Sequence, residues 1–249
     1  MSEMDDILVY ILIGFFAQMV DGTLGMAYGV TSTTFLLSAG IPPAAASATI
    51  HTAELFTTAV LGLSHIRLGN VDKTLFKRLA IPGVTGGALG AYVLTEVPGD
   101  RIKPFMAGYL LLMGLVILYR AFRKTRVIAP DKTVVPLGLV GGFFDAVGGG
   151  GWGPIVTSTL VARGVSPRMT IGSVNTAEFF VTVAESAIFI LAIGLTCWSA
   201  ILGLIIGGVI AAPLAAYLCA KIPSKLFMVL IGLLISLLSL RTLYLSLLG

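Results

Sequence analysis

An all-α integral membrane protein made of two inverted structural repeats is the fold class this sequence predicts, and three features predict it. The chain is apolar and nearly uncharged, it alternates long apolar runs with two glycine-broken ones, and its chemistry repeats at an offset of 124 residues. Hydrophobic residues make up 57% of the 249 and charged ones 11%, with a mean hydropathy of +1.00. A soluble chain of this length needs polar helix faces, which stretches such as Tyr109 to Leu118 and Met228 to Leu240 lack. Their natural surroundings are hydrocarbon.

The elements follow in order. Residues 7–39 are apolar but interrupted by Asp21-Gly22-Thr23-Leu24-Gly25, so they are expected to form a hairpin of two half-helices meeting at a break. Spans at 44–65, 79–96 and 104–120 come next, each near the roughly 20 residues that cross a bilayer. A second hairpin at 133–162 is broken by Asp145 and the run Gly148 to Gly151, and spans at 169–193, 199–219 and 225–246 complete the chain. The expected organisation is therefore 1–125 and 126–249, each a broken-helix hairpin plus three transmembrane helices, giving 5+5 helical segments.

Basic residues in short loops mark the cytoplasmic side. Arg67, Lys73, Lys77 and Arg78 form one group, and Arg120, Arg123, Lys124, Arg126 and Lys132 a second. With Arg163 and Arg168, then Lys221 and Lys225, these are thirteen of the sixteen lysines and arginines. The mixed loop from Thr95 to Lys103 and the uncharged one at Gly194 to Thr196 are expected outside. Each hairpin must then enter and leave by one face, the first from outside and the second from inside, with both chain termini on the outer side. The acidic Met1 to Asp6 segment lacks the basic start of a signal peptide, so the first apolar segment is expected to be retained.

The repeat is chemical as well as hydropathic. Gly14, Asp21, Gly25, Gly29, Thr33, Gly40 and Pro43 fall on Gly138, Asp145, Gly149, Gly153, Thr157, Gly164 and Pro167, and the stretch His51 to Thr58 falls on Asn175 to Thr182. The charge argument puts Pro43 outside and Pro167 inside, which makes the halves inverted. Inverted halves with paired broken helices are the architecture of many secondary transporters, whose substrate binds where the breaks meet.

Ionisable side chains within such spans are costly and rarely face lipid. Glu54 and Glu178 occupy matching positions and are candidates for proton coupling; the competing role is to hold the adjacent hairpin. Asp21 and Asp145 sit at the breaks, where a carboxylate can accept backbone amides as at a helix N-terminus, and they are counted with the proton-coupling set. His51 and Glu185 have no identical mate, aligning with Asn175 and Leu61; His51 is taken as a cargo contact and Glu185 as a polar residue of the interior. The breaks themselves expose helix N-terminal amides toward the bilayer centre, which attract an anion. The expected substrate contacts are Gly25, Gly29, Gly149, Gly150, Gly153, Thr33, Thr157, His51, Thr52, Asn175 and Thr176. Gly83, Gly87, Gly203 and Gly207 are read as close helix packing.

Several functions are excluded. The basic residues form no stripe for a nucleic-acid backbone. Cys197 and Cys219 lie apart, without metal-ligand or disulfide spacing. Gly148 to Gly151 lacks the lysine and hydroxyl of a phosphate loop, and no catalytic cluster appears, so neither enzyme activity, a metal nor a cofactor is expected.

The sequence also resembles the TauE/SafE sulfite-exporter family, known too as the toluene sulfonate uptake permeases. The resemblance covers nearly the whole chain. It rests on the glycine-broken Gly14 to Gly29 hairpin, the Gly40-Ile41-Pro42-Pro43 turn, the His65-Ile66-Arg67-Leu68-Gly69-Asn70-Val71-Asp72 loop, and the second glycine-rich turn followed by Gly164-Val165-Ser166-Pro167. The first break departs from the pattern, with Leu24, Met26, Ala27 and Tyr28 where glycines are denser. The resemblance implies movement of sulfite, sulfoacetate or another organosulfonate across the inner cell membrane. The expectation is thus a secondary transporter, an exporter, of a small sulfur oxyanion; the alternative is a passive anion channel of the same architecture. Its partners would be the small anion and membrane lipid, with a homodimer left open and nucleic acid excluded.

Overall fold

The computed structural model describes residues 3–122, 133–163, 165–219 and 224–248, and every regular element among them is helical. The first hairpin is α1 (Glu3–Leu24) and α2 (Tyr28–Ser38), followed by α3 (Pro43–Arg67), α4 (Lys73–Glu96) and α5 (Gly99–Ala121). The second is α6 (Val134–Gly148), then a π-helical turn, Gly153–Thr157, that runs into α7 (Ser158–Ala162). It is followed by α8 (Pro167–Ile193), α9 (Trp198–Leu218) and α10 (Ser224–Leu248). Of the expected basic loops, Arg123, Lys124, Arg126, Lys132 and Lys221 lie outside the described residues, as does Gly164 of the second turn.

Local chemistry explains the boundaries. Pro43 and Pro167 open α3 and α8 at the helical position where a missing amide hydrogen costs nothing. Asp72 caps α4, its Oδ1 accepting from the amides of Thr74 (2.8 Å) and Leu75 (3.1 Å). The first break falls at Gly25 to Ala27, later than the Asp21 to Gly25 interruption expected from sequence. Asp21 and Gly22 stay within α1, and the chain turns where Gly25 (φ 68°) and Ala27 (φ 105°) take left-handed conformations. In the second hairpin the turn is made by Gly149 (φ 65°) and Gly150 (φ 130°).

At 1.5 Å per residue, α2 and α6 are about 16 and 22 Å long, short of a hydrocarbon core of about 30 Å, whereas α1 at about 33 Å can cross it. Among the described residues, five helices are long and apolar enough to span: α1 over Ile7–Leu24, α5, α8, α9, and α10 over Met228–Leu247. The expected spans α3 and α4 are also long enough, but α3 turns Ser47, Thr49, His51, Thr52 and Glu54 inward and α4 opens on Lys73, Lys77 and Arg78. Their polarity faces the protein interior or a basic end.

The arrangement is polar inside and apolar outside. Glu54, Glu178, Glu185, Asp21 and Asp145 are buried, while Leu191 is 87% and Phe105 75% exposed. Such a surface suits lipid. Packing obeys an exchange of the two halves: α1 lies on α9 as α6 lies on α4, α5 pairs with α10, α3 with α8, and α3 meets α9 as α4 meets α8. Small residues permit these approaches. Gly203 lies against Ile7 and Tyr10 of α1, and a methyl group on Gly138 would meet the Leu79 carbonyl of α4 at 3.1 Å.

Candidate functional site

Both hairpins bring their breaks to one place. A methyl group on Gly29 would lie 2.6 Å from the Gly150 Cα and 3.3 Å from Glu54 Oε1. One on Gly153 would meet the Gly25 carbonyl at 2.6 Å, and one on Gly25 would meet the Thr157 hydroxyl at 3.0 Å. Thr33 donates its hydroxyl to the Gly149 carbonyl, tying α2 to the opposite break. Gly25, Gly29, Gly149, Gly150, Gly153, Thr33 and Thr157 therefore form one crossing. The breaks touch each other and not lipid, which satisfies the requirement that irregular backbone at membrane depth be buried.

Each break carries a carboxylate on its amides. Asp145 Oδ1 accepts from the Gly151 amide at 2.6 Å and the Trp152 amide at 2.8 Å. The Tyr28 amide bonds Asp21 in the equivalent place of the first hairpin. Tyr28 and Trp152 correspond under the 124-residue offset, and both are fully enclosed, the phenol donating to the Leu204 carbonyl and the indole to the Val174 carbonyl. These aromatic anchors were not singled out from the sequence; their matching positions under the repeat were the available signal. Tyr109 was also missed: its hydroxyl donates to the Gly150 carbonyl at 3.4 Å and its ring stacks on Phe144.

Beside the crossing, α3 and α8 supply an asymmetric charge cluster. His51 Nδ1 lies 2.9 Å from Glu54 Oε2 and 3.1 Å from Glu185 Oε2, and its Nε2 lies 3.3 Å from the Asp145 carbonyl. Phe189 covers the imidazole face in parallel stacking. Glu178 lies within electrostatic reach of Asp21, Glu54, Asp145 and Glu185. Three buried carboxyl groups, of Glu54, Asp145 and Glu185, thus surround one imidazole, and no lysine or arginine is buried among the described residues. One donor atom each from His51, Asp145 and Glu185 lies within 4.8 Å of the others. Nε2 faces a carbonyl, which can only accept, so it carries the hydrogen, and Nδ1, facing two carboxyl groups, is the nitrogen of this network that can exchange a proton.

Polar atoms without protein partners complete the site. The hydroxyls of Thr31, Ser32, Thr52, Thr157 and Ser186, both side-chain atoms of Asn175 and Gln18, Asp145 Oδ2 and both Glu185 oxygens have no hydrogen-bond partner. Buried groups of this kind are uncommon in a purely structural core. Thr176 differs, spending its hydroxyl on the Gly172 carbonyl of its own helix at 2.6 Å.

Comparison with known proteins agrees with this architecture. A family model described as "Sulfite exporter TauE/SafE" matches residues 10–242. The chain is 48% identical over 199 residues to the "Probable membrane transporter protein YtnM" of Bacillus subtilis (strain 168), a match covering 77% of this chain and 66% of that protein. It is 30% identical over 144 residues to the "Probable membrane transporter protein ORF9" of Sinorhizobium sp, covering 56% of this chain and 54% of that one. The chain therefore spans just under two thirds of the first relative and about half of the second. No solved structure matches.

Proposed function

Because the chain belongs to the sulfite exporter TauE/SafE family, we propose that it is a multi-pass secondary transporter that carries a small sulfur oxyanion, sulfite or an organosulfonate such as sulfoacetate, between its two hairpin breaks. Export is the direction implied by the family description. The observation that carries this reading is the Asp145 carboxylate on the Gly151 and Trp152 amides. A carboxylate bonded to helix N-terminal amides occupies the position an oxyanion prefers. Cargo and carboxylate compete for those two donors, and Asp21 stands in the same relation to the Tyr28 amide.

This competition couples cargo to protons. The buried carboxyl groups around the crossing repel an anion when ionised, and a proton on Glu54 or Glu178 lowers that repulsion. Glu54, Glu178, Asp21 and Asp145 are the proton-coupling set on this reading, and Thr33, Thr52, Thr157, Asn175 and Thr176 the polar shell near the cargo. The halves are inverted repeats over 1–125 and 126–249, with basic loops cytoplasmic and both termini outside. Contacts between ends assigned to the same side support that orientation: Arg168 donates to the Asn70 side chain and Leu68 carbonyl, Arg163 to Thr133, and Arg120 to the Ser158 carbonyl.

The test is flux of sulfite and sulfoacetate into sealed vesicles containing the purified protein, with sulfate and chloride as controls. A pH gradient should drive accumulation on the alkaline side, and flux should rise as the pH falls. Flux no greater than in empty vesicles would remove the proposal. Flux indifferent to the gradient, and unaltered by Glu54→Gln with Glu178→Gln, would replace it with a passive channel.

A further inference from the structure

We propose that Glu185, His51 and Glu54 form a single proton relay beside Asp145, so that proton coupling resides in one of the two clusters related by the repeat and not in both. This rests on the transport reading above and assigns a role to Glu185 that the repeat does not suggest. The geometry carries it. His51 Nδ1 stands between Oε2 of Glu54 at 2.9 Å and Oε2 of Glu185 at 3.1 Å, while its Nε2 faces the Asp145 carbonyl. Asp145 Oδ2 and Glu185 Oε1 have no hydrogen-bond partner, and Glu185 Oε2 has only its ion-pair contact with His51 Nδ1, although both side chains are at least 99% buried.

Gly87 of α4 makes room for the third member, since a methyl group there would come 2.5 Å from Glu185 Oε1. The corresponding group of the other half cannot relay a proton, because Asn175 stands where His51 does and Leu61 where Glu185 does. Glu178 is left without an imidazole.

The transfer is a movement of one proton with no change of oxidation state. A proton on Glu185 passes to His51 Nδ1, leaving the Glu185 carboxylate and an imidazolium whose Nε2–H remains on the Asp145 carbonyl. The Nδ1–H bond then breaks toward Glu54, which becomes the acid, and His51 returns to neutral. A carboxylate oxygen of Asp145 lies within 4.8 Å of the His51 and Glu185 donor atoms. The relay ends on Glu54, which lies at the first break beside Gly29, with Asp145 and its two bonded amides of Gly151 and Trp152 alongside. The titratable groups facing the relay are Asp21 of α1, Tyr28 of α2, Tyr109 of α5, Asp145 of α6 and Glu178 of α8, of which none is a base. His51 is the one buried acceptor beside the breaks that can become a cation.

Two measurements on the purified full chain test this. In vesicles, Glu185→Gln should lower pH-gradient-driven accumulation of sulfoacetate about tenfold, while anion exchange at equal pH falls less than about threefold. Glu185→Asp should restore part of the accumulation. Equal losses in accumulation and exchange would overturn the relay, because a merely structural role moves both together. Absence of exchange in the wild type would instead count against the transport reading. Independently of transport, infrared difference spectra between acid and alkaline pH should show a carboxylic-acid carbonyl band that Glu185→Gln abolishes and Gly87→Ala shifts. A band unchanged by both, or one metal ion per chain retained on the purified protein, would overturn the proposal.

Discussion

At the scale of single residues, Asp145 joins structure to function, since one oxygen holds two amides of the broken helix while the other has no partner. Asp145→Ala orphans both amides and should destabilise the protein by about 1–3 kcal/mol for each, seen as a lower melting temperature in detergent. Asp145→Asn keeps a neutral acceptor in place and should cost about 1 kcal/mol or less. The neutral amide is the weaker competitor for the donors. Asp145→Asn should therefore bind sulfite more tightly than the wild type at the same pH, and thermal-shift titrations of both proteins with sulfite check this.

Residue chemistry at the breaks was legible in sequence because aspartate beside glycine in an apolar run has few structural uses. The partnership of His51 with Glu185 was not. The two belong to different helices, and Glu185 aligns with a leucine, so neither periodicity nor the repeat pointed to it.

Among the elements, the two short arms meet only because glycine lines the crossing. Gly150 has φ 130°, and a side chain there would strike the backbone of Gly29 and Val30. Gly150→Ala should therefore separate the breaks, costing about 1–3 kcal/mol from overpacking before the strain of a positive φ is added, and should abolish flux. Gly108→Ala is the control: nothing lies within 4 Å of its added methyl group, so it should stabilise α5 by about 0.5–1 kcal/mol. Melting temperature and flux measured on both variants separate crowding at the crossing from a general intolerance of alanine.

The helix boundaries came close to expectation because prolines and an aspartate cap mark them. The exact turn of the first hairpin did not, since Ala27 takes a left-handed conformation that its residue type does not advertise. The polarity of α3 similarly conceals how deeply that helix is placed.

For the whole molecule, the expected cytoplasmic ends and the expected outer ends each gather in space. At the outer end, Arg241 reaches the Ser38 carbonyl at 3.1 Å, and the Ser38 and Thr242 hydroxyls pair at 3.2 Å. The two free thiols provide a test of sidedness, with Cys197 at the start of α9 and Cys219 at its end. A membrane-impermeant maleimide applied to intact cells should label Cys197 and spare Cys219 until the membrane is opened. The reverse pattern would invert the proposed topology. The 124-residue offset was legible along the chain, and the helix pairings, α1 with α9 as α6 with α4, follow the exchange of partners such a duplication would give. Sequence placed the imidazole at His51 without a mate at Asn175, but it could not show which carboxyl groups meet it, because they come together across α3, α6 and α8.

Trp152 is enclosed at the second break, with its indole on the Val174 carbonyl, whereas Trp198 is 57% exposed at the start of α9. The protein has only these two tryptophans. Replacing Trp198 with phenylalanine would leave one tryptophan, seated at the second break with its amide on Asp145, where the proposed cargo would compete. Its emission colour and quenching would then register each occupancy of the crossing in real time, without an attached dye.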